Sequence, residues 1–282
     1  MSVDLHTHST ASDGSDPPGR IVELAEQAGL TAVALTDHDT MEGVEEALTV
    51  ADTVDVELVP GVELSLDHER GAMHLIVLWL ELGPGPLQDR LAALQAGRTD
   101  RNLRMVEILT DLGMPATIEE VEEEAGGGSV GRPHIAAVMM ARGYVPDIRT
   151  AFDLWLGKGK PAYVGRPRLD PEEALGLARE AGGVPVLAHP HTLAITTAAE
   201  MAALLTRLGS AGLVGLEAYY GGYRRHEMEG YADLSRRFGL IPSGGSDYHG
   251  TYKPGLALGS GYGHLAVPDH LVDELREHSG RP

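Results

Sequence analysis

The feature that most constrains this chain is a recurrence: short apolar runs, several ending in histidine or a carboxylate, separated by amphipathic stretches. Thr31-Ala32-Val33-Ala34-Leu35-Thr36 delivers Asp37-His38-Asp39, and the run from Val56 ends in Gly61-Val62-Glu63. Val184-Pro185-Val186-Leu187-Ala188 ends in His189-Pro190-His191. Gly212 to Glu217 leads to Tyr219-Tyr220-Gly221-Gly222, and Gly239 to Gly245 leads into Ser246-Asp247-Tyr248-His249. A run from Met73 to Leu80 reads as a further strand with His74 near its start. Pro17-Pro18 opens a helix through Ile21, Leu24, Ala25 and Ala28 that Gly29 ends. Asp39 and Glu42 have capping-box spacing for the next helix. Strands alternating with helices predict a parallel sheet with helical crossovers. In a barrel of such strands, ligands bind at the rim where the strands end.

The chain begins with the same chemistry. In Val3-Asp4-Leu5-His6-Thr7-His8-Ser9, strand alternation places His6 and His8 on one face. Asp13 follows on a Ser/Asp/Gly turn that can fold back over them. Two histidines on an edge strand need no ion. His6, His8, Asp13, His38, Glu63, His74, His189, Asp247 and His249 together are harder to explain as surface polarity. Buried without metal, they would carry desolvation costs and like-charge clashes. Neutral imidazoles with carboxylates suit Zn, Mn or Fe. The chain has no cysteine, so any metal sits on nitrogen and oxygen. The three carboxylates would balance two or three divalent cations.

At 282 residues the chain is long enough for one α/β barrel or two smaller domains. No run approaches 18 apolar residues and no leader pattern opens the sequence, which predicts a cytoplasmic protein away from membranes. A net charge of −20 argues against duplex DNA or an anionic membrane as a partner. Residues 90–168 depart from this, with 11 of the 22 Lys and Arg but only 10 of the 42 Asp and Glu. The strand rhythm also breaks there. Leu91, Leu94, Leu103, Val106 and Leu109 suggest long helices, Gly126-Gly127-Gly128 a stop, and Arg132-Pro133-His134 the start of an apolar helix. The predicted organisation is a barrel from 1–83 and 161–282, with 84–160 a helical insertion forming a substrate-binding cap.

The motifs Asp-Leu-His-Thr-His-Ser, Thr-Asp-His-Asp at 36–39, Gly-Val-Glu at 61–63, Ala-His-Pro at 188–190 and Gly-Ser-Asp-Tyr-His at 245–249 occur in order. This set resembles the PHP (polymerase and histidinol phosphatase) phosphoesterase superfamily over nearly the whole chain. It looks closest to stand-alone members acting on 3′,5′-bisphosphonucleotides and 5′ ends of short RNA, which carry a similar insertion. The resemblance implies a distorted (β/α)₇ TIM-like barrel and a trinuclear centre. His6, His8, Glu63 and Asp247 would hold a first metal, Asp13, His38 and His249 a second, and Glu63 with His74 and His189 a third. The ions would supply an activated water, so no Ser or Cys nucleophile is required. Asp13, His38, Glu63 and His249 would then be catalytic through that water, and His191, where the family commonly has Gly, would be an extra ligand, a phosphate contact or a proton donor. Arg132, His134, Lys158 and Lys160 are the predicted phosphate contacts, and Tyr219, Tyr220 and Tyr223 could stack on a base. Two alternatives are a histidinol-phosphate phosphatase and a non-catalytic metal-binding regulatory module. The basic insertion weighs against the first and the complete ligand set against the second.

Overall fold

The computed structural model describes residues 2–126, 130–165 and 168–280. Residues 1–89 with 168–282 form one compact unit, and residues 90–167 form another. The Gly127-Gly128 stop and Arg166 lie outside the described residues.

The first unit opens with β1 (Ser2–Thr7), α1 (Pro18–Gln27), β2 (Ala32–Leu35), α2 (Val44–Ala51), β3 (Glu57–Leu66) and β4 (Met73–Leu78). Helix α3 (Pro86–Asp111) leads into α4 (Ile118–Glu124), α5 (Arg132–Ala141) and α6 (Ile148–Ala151), the last continued by a π-turn over Phe152–Leu156. The chain then runs through α7 (Pro171–Glu180), β5 (Val184–Leu187), α8 (Ala198–Ala211), β6 (Gly215–Tyr220), α9 (Arg225–Arg237), β7 (Ile241–Gly245), β8 (Val267–Pro268) and α10 (His270–Arg276).

The strands form one sheet in the order β7-β6-β5-β4-β3-β2-β1-β8. It curls almost into a barrel, because the end of β1 meets the segment after β7: Asp247 N–H donates to His6 O at 2.9 Å and His8 N–H to Tyr248 O at 2.9 Å. Gly245 is what lets β7 approach this closely. A Cβ there would lie 2.4 Å from the His6 backbone nitrogen. Strands β1–β2–β3 and β5–β6–β7 are parallel, as the alternation predicts. Strand β4 departs from that pattern, pairing antiparallel with both β3 and β5. The loop between β3 and β4 is too short for a helical crossover, so the chain must turn straight back. The reversal has a functional consequence: a residue near the start of β4 lies on the rim where its neighbours end.

Other expectations shift locally. Asp39 does not cap α2, whose N-cap is Gly43. Its carboxylate instead accepts from Ser65 N–H at 2.8 Å and Ser65 Oγ at 3.1 Å, tying the end of β2 to β3. An apolar cluster links Val3, Val59, Ile76 and Val186 of the strands to Met228 of α9 and Leu271 and Leu275 of α10. The second unit has its own core, including Met105, Leu109, Ile135, Met139 and Leu156. Among the described residues no helix is long and apolar enough to cross a membrane.

Candidate metal centre

Glu63 is the hub of the site. It lies on β3, 1% exposed, and its two carboxylate oxygens face five imidazoles. Oε1 meets His74 Nδ1 and His189 Nε2, each at 2.9 Å. Oε2 has His38 Nδ1 at 3.0 Å, His8 Nε2 at 3.2 Å and His6 Nε2 at 3.4 Å. Asp247 Oδ1 stands 3.3 Å from His8 Nε2, 3.4 Å from His249 Nδ1 and 3.5 Å from His6 Nε2. Asp13 closes the other side, with Oδ1 3.3 Å from His249 Nε2 and 3.7 Å from His8 Nδ1, and Oδ2 3.8 Å from His38 Nε2. Thus the structure brings together all nine residues that the sequence marks as metal-competent.

Their donor atoms fall into four overlapping groups: His8, Asp13, His38 and His249; His6, His8 and Asp247; His6, Glu63 and His189; and His38, Glu63 and His74. Within each group the atoms lie within 4.8 Å of one another. Whether divalent ions suit this set can be judged from Glu63 Oε2. It is buried and makes no hydrogen bond of acceptable geometry, although three ring nitrogens converge on it. Imidazole and carboxylate lone pairs aimed at shared points, with few aligned protons between them, are the donor set of a divalent-metal site. The residues fit such ions, and with no thiolate present the set does not select among Mn, Fe and Zn.

The backbone is strained where these residues are presented. Asp39, His189 and Asp247 have φ of 55°, 22° and 56°, a region that side chains other than glycine seldom occupy. Each N–H is held by a group on another strand. Asp39 N–H donates to Glu63 O at 3.0 Å, Asp247 N–H to His6 O at 2.9 Å, and His189 N–H to Glu217 Oε2 at 2.6 Å. At the turn before Asp13, Asp37 accepts from Ser9 N–H, Ser9 Oγ and Ser12 Oγ at 2.6–2.8 Å, fixing the approach of the loop to the centre.

Glu217 is the functional residue that the sequence reading missed. Fully buried on β6, it accepts His189 N–H through one oxygen and meets His6 Nδ1 at 2.9 Å through the other. It therefore holds the His6 proton on Nδ1 and turns Nε2 toward the centre, the usual role of a carboxylate behind a ligating histidine. The signal was there: a lone acid in an otherwise apolar strand is tolerable only when it is paired.

The remaining sequence-marked residues lie as follows. His191 is exposed, its Nδ1 2.9 Å from Tyr223 Oη and its ring 6.1 Å from that of His189. Tyr220, more than Tyr219, faces the centre. Its hydroxyl donates to Asp247 Oδ2 at 2.9 Å and its ring lies against His189 and His191. A bulge between Glu217 and Tyr219 shifts the alternation, so that Glu217 and Tyr220 both aim at the site. In the second unit, His134 is buried and accepts Gly131 N–H at 3.1 Å as a helix cap. Arg132 donates to Leu156 O at 3.3 Å and lies over the rings of Phe152 and Tyr163. Lys158 and Lys160 are exposed.

The acids and imidazoles of the cluster shift one another's charge. Burial alone would raise Asp13, Glu63 and Asp247, but the surrounding imidazoles, with Lys253 beside Asp247, hold all three well below the usual carboxylate range. Burial alone would lower His6, His38 and His189. The carboxylates of Glu217 and Glu63 raise His6 well above the imidazole norm, Glu63 and Asp13 raise His38, and Glu63 raises His189. Burial wins at His74, lowered to about 4 despite Glu63. Ligation requires neutral imidazole, so protons on the raised histidines compete with metal. Zn(II) added to metal-free protein in weakly buffered solution at pH 7 should release more than one proton per chain. Its apparent affinity should fall as the pH drops. Loading without proton release, followed with an indicator dye, would contradict these shifts.

Comparison with known proteins agrees with this geometry. The model of the PHP domain matches residues 4–85. The chain is 31% identical over 260 residues to a 3′,5′-nucleoside bisphosphate phosphatase of Chromobacterium violaceum, covering 92% of this chain and 90% of that one. It is 32% identical to a 5′-3′ exoribonuclease of Haemophilus influenzae (87% and 89% covered). To a phosphoribosyl 1,2-cyclic phosphate 1,2-diphosphodiesterase of Eggerthella lenta it is 30% identical (89% and 95% covered). Among solved structures, a chain from Bifidobacterium adolescentis described as a metal-dependent phosphoesterase superposes with a TM-score of 0.84 at 29% identity, covering 99% of this chain and 96% of that one. A likeness that runs through barrel and helical segment alike, around a site built as above, has one reading: the chain belongs to the PHP family.

Proposed function

We propose that this PHP-family hydrolase acts on phosphate esters of small nucleotides, either 3′,5′-bisphosphonucleotides or the 5′-phosphorylated ends of short RNA. The observation that carries the reading is the buried cluster centred on Glu63, in a chain whose relatives over nine-tenths of their length are named for such substrates. That it hydrolyses phosphate ester bonds follows from the family; the substrate is the proposed part. Divalent ions, when bound, would neutralise charge growing on the phosphoryl oxygens and lower the pKa of water.

The chain's own residues would do the rest. His6, His8, Glu63 and Asp247 would hold one ion, Asp13, His38 and His249 another, and His74 and His189 with Glu63 a third. Glu217 would keep His6 and the His189 backbone in place. Tyr220 and His191 would line the side of the site nearest β6, where a leaving alkoxide could take a proton. For a second phosphate, the exposed Lys158 and Lys160 are better supported than Arg132 and His134, which are engaged within their own helical unit.

A second reading has a specific basis in the Eggerthella relative: a phosphodiesterase acting on a phosphoribosyl cyclic phosphate. Mn-loaded protein, assayed side by side on 3′,5′-bisphosphoadenosine, 5′-phosphorylated short RNA, phosphoribosyl 1,2-cyclic phosphate and histidinol phosphate, separates the two. The highest kcat/KM is expected on one of the first two. A preference for the cyclic phosphate would favour the second reading, and a preference for histidinol phosphate would overturn both.

A further inference from the structure

After His249 the chain makes a tight turn over Gly250–Tyr252, pinned by Thr251 N–H donating to Ser15 Oγ at 2.9 Å. The turn brings Lys253 back onto the cluster. Its ammonium donates to Asp247 O at 3.2 Å and pairs with Asp247 Oδ2, the oxygen that also accepts from Tyr220. The two oxygens of Asp247 are thereby divided. Oδ1 faces His6, His8 and His249, while Oδ2 faces Lys253 and Tyr220. The lysine thus stands outside the donor set and blocks no donor atom of Asp247 that faces it. Its side chain is 31% exposed, so it is reachable from solvent.

We propose that Lys253 is the protein's own contact to the phosphoryl group that reacts at this centre, a residue that selects phosphate esters. The inference rests on the phosphate-ester reading above and deepens it. A lysine ammonium has three N–H donors, and Asp247 accounts for two of them. Charge points the same way. Beside the acids Asp13, Glu63, Asp247 and Glu217, whose charge bound ions would offset, Lys253 adds a positive charge that an incoming phosphate anion would meet. Asp247 screens the ammonium on the side of the donor set, so the remaining N–H is the one an anionic phosphoryl oxygen would take, with a charge-assisted gain. Neutral esters and carboxylic amides offer no such gain.

Metal-loaded Lys253→Met and Lys253→Arg variants test this. Three quantities are read: inorganic phosphate binding by calorimetry, bound metal by elemental analysis, and kcat and KM on an aryl phosphate monoester. Lys253→Met should weaken phosphate binding and raise KM by roughly tenfold to a hundredfold, the effect of losing a charge-assisted hydrogen bond. Its metal content should stay that of the wild type, and Lys253→Arg should keep most of the affinity. Unchanged phosphate binding in Lys253→Met would overturn the proposal. So would a loss of metal in step with the loss of phosphate affinity, since Lys253 would then serve only to orient Asp247. If the wild type hydrolyses no phosphate ester, the functional reading falls, and the calorimetric comparison still decides the role of Lys253.

Discussion

Glu63→Gln should leave a folded chain that retains less than half of the wild-type metal and hydrolyses phosphate esters about a thousandfold more slowly, or worse. Glu63 presents one oxygen to His74 and His189 and the other to His6, His8 and His38, so a single substitution touches two of the four donor groups directly and the other two through shared histidines. Glutamine keeps the size but carries no charge, and it puts an NH₂, which cannot ligate, in place of one carboxylate oxygen. Losing about 4 kcal/mol of transition-state stabilisation corresponds to three powers of ten, each 1.36 kcal/mol being tenfold. Circular dichroism should be unchanged. A variant with full metal content and near wild-type turnover would remove Glu63 from the centre.

Asp13→Ala should act more narrowly. Asp13 belongs to one donor group, with His8, His38 and His249, and its loop is anchored separately through the contacts of Asp37 with Ser9 and Ser12. The loop should therefore stay in place while that position loses its only carboxylate. Bound metal should fall by about one ion per chain and turnover by roughly a hundredfold to a thousandfold, with KM changed much less. A large rise in KM at constant kcat would instead make Asp13 a substrate contact. His249→Ala should give the same pattern.

The donor set was legible because strand alternation and strand-end position are local properties. His6 and His8 needed only their spacing, and His38, Glu63, His189 and Asp247 needed only to follow apolar runs. His74 was readable as a residue type, but its place on the rim depends on the reversal of β4, which pairs antiparallel on both sides. Asp39 shows the reverse error: its spacing to Glu42 fits a helix cap, yet Ser65, 26 residues on, offers two donors instead. Tyr219 and Tyr220 cannot be ranked from sequence, because a one-residue bulge exchanges which of them faces inward. His134 and Arg132 carried the polar signature of a helix start, and the structure accounts for it by capping and aromatic packing. Lys253 lay beyond reach, since its part depends on a turn that folds six residues back onto Asp247. Glu217 could have been found by asking what a buried acid in β6 must pair with.

A single buried cluster acting as a metal centre for phosphate-ester hydrolysis has a direct signature in metal loading. Stripping the wild-type protein with chelator and reloading it stepwise with Mn, while bound metal and phosphate release from 3′,5′-bisphosphoadenosine are followed together, tests it most directly. Activity should be absent after stripping and return only as more than one ion per chain is taken up, with Glu63→Gln recovering neither. Full hydrolysis by stripped protein, or complete metal uptake with no release of phosphate from any ester offered, would contradict it.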